Sequence, residues 1–217
     1  TKKAATSLKE AYKGAFRLGT AVNAQIVSGE DALSQPLVPL HFNTITAENV
    51  MKTEVVNPQP GVYDFSAADA FVDYGERHGM FIVGHTLVWH NQTPAWFFQD
   101  EKGQPNTREA QIERMRRHIE AVAGRYAGRV HAWDVVNEVI DASQPDGLRR
   151  SLWYQIAGEE FIEKAFLYAR EADPTAKLFI NDYNTHEPAK SQALYNLVQR
   201  LQAKGVPIDG VGHQTHI

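Results

Sequence analysis

The chain has 217 residues, 43% of them apolar, which is enough to bury a core in one or two domains. Its 22 basic and 26 acidic side chains leave a net charge of -4 without long single-sign runs, which gives no reason to expect nucleic acid as a partner and suits a neutral polymer such as a polysaccharide. The absence of cysteine excludes a disulfide framework, a thiolate nucleophile and Cys-ligated zinc, and no stretch approaches the roughly 18 consecutive apolar residues of a membrane span.

The opening TKKAATSLKEAYKG lacks the apolar h-region of a signal peptide, so an exported protein would already have lost its signal. The run AFRLGTAV at 15 to 22 has strand length and composition, and FNTIT at 42 to 46 follows an apolar-periodic segment from about Asp31. After the turn-rich NPQPG, Ser66 and Asp69 stand in capping-box spacing ahead of a helix that Gly79 stops. The strand MFIVGHTLVW follows. Asn106 and Glu109 form a second capping box, opening a helix in which Ile112, Met115, Ile119, Val122 and Tyr126 recur at steps of three and four. Next come the strand RVHAWDVV, a loop rich in Asp, Ser, Pro and Gly, a helix from about Glu159 to Ala172, the strand KLFIND, a helix from Pro188 to near Gly205, and the strand-like DGVGHQTHI. No linker or low-complexity segment interrupts this alternation, so a single domain over 1 to 217 is expected.

Six strands alternating with helices imply right-handed βαβ units and a parallel α/β sheet. Neither GxGxxG nor GxxxxGK[ST] occurs, which disfavours a doubly wound nucleotide-binding sheet and favours a TIM (β/α)8 barrel. A barrel collects its functional residues at the C-terminal ends of its strands. Those ends carry Asn23, then Glu48 and Asn49, then His85, Trp89 and His90, then Asn137 and Glu138, then Asp182 and Tyr183, then Gln214 and His216.

Two carboxyl groups facing each other across a glycosidic bond can split it, one protonating the leaving oxygen and the other attacking the sugar or activating water. Glu138 is the candidate proton donor, because it ends an apolar strand where burial favours the protonated acid, and Asn137 beside it can bond a sugar hydroxyl. Strand-end carboxylates are also common in parallel α/β proteins of every function. Trp89, Trp96 and Tyr183 offer flat faces for sugar rings, whereas Trp133 and Trp153 fall where core packing is expected. His85 with His90, and His213 with His216, lack HExxH or a supporting ligand set, so no metal is expected. Glu48 and Lys52, four apart, allow a plain helical ion pair.

Taken together, FNTITAENVMK at 42 to 52, GHTLVWHNQTPAW at 84 to 96, WDVVNE at 133 to 138, NDYN at 181 to 184 and HQTHI at 213 to 217 resemble glycoside hydrolase family 10, the endo-1,4-β-xylanases. The resemblance implies a TIM barrel, a retaining double displacement on xylan or xylo-oligosaccharides, and no cofactor. It makes Glu138 the general acid/base. It gives Glu48, Asn49, Lys52 and Gln92 to the sugar two sites before the scissile bond, His85, Trp89 and Asn137 to the sugar that becomes covalently attached, and Tyr183 to the leaving-group side. Gln214 and His216 fall around the nucleophile, with His216 hydrogen-bonding it.

In that family the nucleophile is a Glu ending strand seven, and the 217 residues end with strand six. The expectation is therefore a barrel with strands 1 to 6 in this chain and strands 7 and 8 outside it, incomplete at the C-terminus and completed by further chain or by a second polypeptide segment. Taken alone, such a chain should at most bind xylan and should not turn it over. The alternatives are a β-1,4-glucanase of the same barrel type and a non-catalytic carbohydrate-binding remnant. A polymer too large to cross a membrane implies an extracellular or periplasmic location.

Overall fold

The computed structural model describes residues 7–216. Among the described residues nine helices and six strands follow in the order α1 (Leu8–Ala11), β1 (Gly19–Val22), α2 (Ala24–Ser28), α3 (Leu37–His41), β2 (Thr44–Ala47), α4 (Thr53–Val56), α5 (Ser66–Arg77), β3 (Phe81–Val88), α6 (Arg108–Arg125), β4 (Ala132–Asn137), α7 (Leu152–Ala157), α8 (Glu160–Ala172), β5 (Lys177–Tyr183), α9 (Pro188–Ala203) and β6 (Gly210–Gln214). A 3-10 turn, Ala95–Phe98, lies between β3 and α6.

All six strands are parallel and stand in the order β1-β2-β3-β4-β5-β6. A doubly wound sheet needs a point where strand order reverses, and this sheet has none. Sequential order with helices on one side is instead six consecutive units of a (β/α)8 barrel, a partial TIM barrel.

Each long helix turns one apolar stripe to the sheet. On α5 the buried residues include Ala68, Phe71, Val72 and Gly75, and on α8 Phe161, Ile162, Ala165, Phe166 and Ala169, which is the three-and-four spacing of an amphipathic helix. Gly75 is required by close approach: a Cβ there would stand 2.6 Å from the Ile82 side chain. Gly84 is tighter still, since its Cβ would meet the Trp133 ring at 2.2 Å, so the indole fills the space that glycine leaves.

Several boundaries differ from the sequence expectation. Strand one begins only at Gly19, because residues 15 to 18 enter as a loop: Phe16 is exposed, Arg17 stacks on Phe81, and the Leu18 N–H is taken by the Asn43 side chain. The segment from Asp31 is a turn, with Asp31 Oδ1 accepting from the N–H groups of Leu33 and Ser34, and only Leu37–His41 is helical. Neither expected capping box forms. Asp64 accepts from the Ser66 N–H and hydroxyl at the start of α5, and Thr107 caps α6 by accepting from the Ala110 N–H. Asn106 is buried and bonds Gln111 and the Phe97 carbonyl instead. Asn23 caps α2, accepting from the Ile26 N–H, and is thereby committed to structure.

Candidate active site

Glu138 follows β4 with φ +60°, in the left-handed region that a residue with a Cβ enters at a cost of roughly 1–3 kcal/mol. Gln92, beyond β3, and Asn184, directly after β5, share this conformation, at +47° and +51°. These left-handed residues lie on the C-terminal rim of three neighbouring strands, where a barrel builds its site.

The Glu138 backbone is held on both sides, its N–H donating to the Asn181 carbonyl at 2.8 Å and its carbonyl accepting from Arg149 Nε at 2.6 Å. Its half-buried carboxylate is held as well. Oε2 accepts from Trp89 Nε1 at 2.8 Å and Oε1 from Gln214 Nε2 at 3.2 Å. Trp89 is itself fixed, because its carbonyl accepts from Trp153 Nε1 and from the Thr93 hydroxyl. Asn137 Oδ1 accepts from both Asn181 Nδ2 and Gln214 Nε2, which leaves its own amide N–H groups without a protein partner among the described residues. They are available to a ligand hydroxyl.

To one side of Glu138 stands a polar cluster. Lys52 Nζ donates to Asn49 Oδ1 at 2.8 Å and to Gln92 Oε1 at 2.6 Å, and lies 5.0 Å from the centre of the Trp89 ring. Gln92 is pinned by donating from Nε2 to Glu54 Oε1. Burial pushes the Lys52 ammonium below its ordinary value, against the pull of Glu54, Glu48 and Glu138. Glu48 is exposed at the same rim, and its spacing from Lys52 produces no helical ion pair, because β2 ends just before it and α4 begins only at Thr53.

His85 and Asp134 face each other across β3 and β4, Nδ1 to Oδ2 at 2.8 Å. The contact engages Nδ1 and so leaves Nε2 facing away from Asp134. Burial, together with the nearby Arg149 cation, holds His90 below its ordinary value and therefore neutral at pH 7.

On the other side of Glu138, the Tyr183 hydroxyl accepts from Arg149 Nη2 at 2.9 Å, and Lys190 Nζ stands 3.3 Å from the centre of the Tyr183 ring. Asp182 joins this cluster through Lys190. It is fully buried against α9, paired with Lys190 at 2.9 Å and accepting from the Ile140 N–H, so it has a structural partner for each oxygen. His216 Nε2 lies 3.1 Å from Gln214 Oε1 and is exposed, while Ile217 of the HQTHI motif falls outside the described residues.

Glu138, Trp89, Asn137 and Gln214 are thus brought into direct contact, and Lys52, Asn49 and Gln92 into a second cluster joined to the first through Trp89. Trp96 is not among them: its indole N–H donates to the Pro58 carbonyl, and it lines a separate cleft of about 470 Å³ with Tyr63 and Arg117. Trp133 and Trp153 are core residues, 0% and 2% exposed. No three His, Asp or Glu side chains among the described residues converge as a metal site would require. Sequence reasoning missed Arg149, Asn181 and Asp134. A signal for Asp134 was present, since a carboxylate inside the apolar run WDVV needs a buried partner.

Six parallel barrel strands with left-handed residues and a tethered carboxylate at their C-terminal rim have the build of a (β/α)8-barrel protein with its functional site where that fold places it. The family model for glycosyl hydrolase family 10 matches residues 7–217, and the chain belongs to that family. It is 50% identical to endo-1,4-beta-xylanase A of Caldicellulosiruptor sp. (strain Rt8B.4), an alignment covering 97% of this chain and 31% of that protein. It is 44% identical to the thermostable celloxylanase of Thermoclostridium stercorarium, over 97% of this chain and 57% of the other. A solved intracellular xylanase of Thermoanaerobacterium saccharolyticum, a mutant in complex with xylotriose, superposes with a TM-score of 0.91 at 44% identity, over 96% of this chain and 66% of that one. The chain therefore spans only part of the length of the relatives it matches.

Proposed function

We propose that the chain forms the acid/base portion of a retaining endo-1,4-β-xylanase, a hydrolase cutting internal bonds of xylan by double displacement. The observation that carries this is the carboxylate of Glu138, tethered by Trp89 and Gln214 between the Lys52 cluster and Tyr183. In the first step Glu138 protonates the glycosidic oxygen while a second carboxylate attacks the anomeric carbon; in the second it takes a proton from water, which releases the sugar. The Lys52, Asn49 and Gln92 cluster, with Glu48, would hold the sugar two sites before the bond, His85, Trp89 and Asn137 the sugar at the bond, and Tyr183 the leaving portion.

The nucleophile belongs to a strand pairing along β6, which among the described residues pairs only with β5. Such a strand would bring a Glu beside Gln214 and His216, about 5–5.5 Å from Glu138 as a retaining mechanism requires. The 217 residues alone would bind xylo-oligosaccharides without turnover, and the barrel would be completed by further chain or a second polypeptide segment. The substrate, a polymer, favours an extracellular or periplasmic enzyme, although one relative is described as intracellular.

In the completed barrel, Glu138→Ala should lower xylan hydrolysis by about 10²- to 10⁴-fold while xylo-oligosaccharide binding persists. Unchanged turnover would remove Glu138 from this role. A second reading, cleavage of β-1,4-glucan as well, is favoured by the likeness to a celloxylanase. Side-by-side hydrolysis of xylan and cellulose oligomers separates the two.

A further inference from the structure

Arg149 is not a strand-end residue, yet it makes the only hydrogen bond from the loop after β4 to the backbone of Glu138 among the described residues. The loop doubles back as a small hairpin: Ile140 and Leu148 form an antiparallel bridge, the Arg149 N–H donates to the Val139 carbonyl at 2.8 Å, and the Asp141 N–H to the Gly147 carbonyl at 3.0 Å. This pairing returns Arg149 to the residue next to Glu138. From there its half-buried guanidinium forks. Nε donates to the Glu138 carbonyl at 2.6 Å and Nη2 to the Tyr183 hydroxyl at 2.9 Å, with the cation 5.8 Å from the Tyr183 ring centre. A planar fork of fixed geometry therefore bridges two strands at the position where β4 ends in a left-handed residue.

We propose that Arg149 is a positioning residue for protonation of the leaving group: it locks the left-handed backbone of Glu138 and the hydroxyl of Tyr183 into one frame, so that the acid stays in register with the departing sugar. The proposal rests on Glu138 being the acid. Other tethers of the carboxylate, Trp89 and Gln214, act on its oxygens. Among the described residues, Arg149 is the side chain that hydrogen-bonds both the main chain of the acid and the hydroxyl of Tyr183, and a misplacement there of about 1 Å is enough to cost on the order of 10²-fold in rate.

The test uses the completed enzyme and two substrates with the same glycone. A xylo-oligosaccharide leaves as a poor alcohol and needs the proton, whereas 2,4-dinitrophenyl β-xylobioside leaves as a stable phenolate and does not. The comparison is made on kcat/KM, which reports steps up to the first bond cleavage. Arg149→Met should lower kcat/KM for the xylo-oligosaccharide about 10- to 100-fold and leave the dinitrophenyl substrate within about twofold. Arg149→Lys should recover little, since a point charge cannot span both acceptors. Equal losses on both substrates would mean a purely structural role, and no loss on either would mean no role; each overturns the proposal. Should Arg149→Met not fold, Arg149→Gln, whose single amide cannot reach both acceptors, should show the same substrate discrimination at smaller size, equal losses again overturning it. Glu138→Ala run in parallel keeps the two failures apart: retained cleavage of the xylo-oligosaccharide sinks the assignment of the acid itself, whereas its loss with Arg149→Met unaffected sinks only the clamp.

Discussion

Residues of β2 to β5 that point at the helices differ from those that point the other way in both polarity and exposure. On the helix side Ile45, Ile82, Trp133, Leu178 and Ile180 are completely buried. On the opposite side Thr46, Val83, His85 and Asp134 are only half-buried, and the polar side chains are held by one another, as His85 is by Asp134 and, nearer the rim, the buried Asn181 by the buried Asn137. One face is dry and depends on shape. The other is wet at its margin and depends on hydrogen bonds between side chains from successive strands. The two faces should therefore fail differently: substitutions under the helices should cost stability, while those on the opposite face should cost binding or turnover with little loss of fold.

The largest stability effect should come from Trp133, wedged over Gly84. Trp133→Ala removes the biggest fully buried side chain and should cost about 3–5 kcal/mol, read as a lowered urea midpoint. Because the indole N–H has no partner among the described residues, Trp133→Phe should cost much less than its loss of volume suggests. If Trp133→Ala instead left the midpoint in place and abolished xylo-oligosaccharide binding, the division between the faces would break.

This division also explains how much could be read from the sequence. The helices α5, α6, α8 and α9 were legible because their buried residues repeat at three and four, as Phe71, Val72 and Gly75 do, and the central strands because each carries a short apolar run, such as 81–83 and 178–180. The cap of α6 was misplaced by one residue, since Asn106 and Thr107 both suit an N-cap and only tertiary packing draws Asn106 onto Gln111. Glu138, Trp89 and Gln214 came from long family motifs. Arg149 carried no such mark. It is one of two adjacent arginines, and only the hairpin pairing decides that Arg149 reaches Glu138 while Arg150 turns out to Asp146.

The second effect concerns His118, a titratable group on the dry face. Burial pushes its imidazole down to about 4, the Leu87 carbonyl offsetting only part. A folded value below the unfolded one means that the unfolded chain takes up the proton first as pH falls. Stability is intact above about pH 6.5, declines below it, and has lost its full share, about 3 kcal/mol, near pH 4. His118→Leu should remove that share. The measurement is the difference in unfolding free energy between the two proteins from pH 7 to pH 4, and a constant difference would show that His118 is not silently buried.

The smallest effect is the sharpest probe of the comparison, because the two properties should move in opposite directions. Lys52 belongs to the rim cluster, yet it is only 9% exposed, and burial disfavours its charged form despite three nearby carboxylates. The cost of that charge is fully present below the folded pKa and fades as pH rises toward 10.5, where the unfolded chain also loses its proton. Lys52→Met should therefore stabilise the fold at pH 7, and by less at pH 11. The same substitution removes the donor that binds Asn49 and Gln92 together and should weaken xylo-oligosaccharide binding. Thermal melts at the two pH values, paired with calorimetric titration at pH 7, read both. Loss of stability together with loss of binding would mean that the rim lysine is a structural strut, and that the wet face holds the fold together as the dry one does.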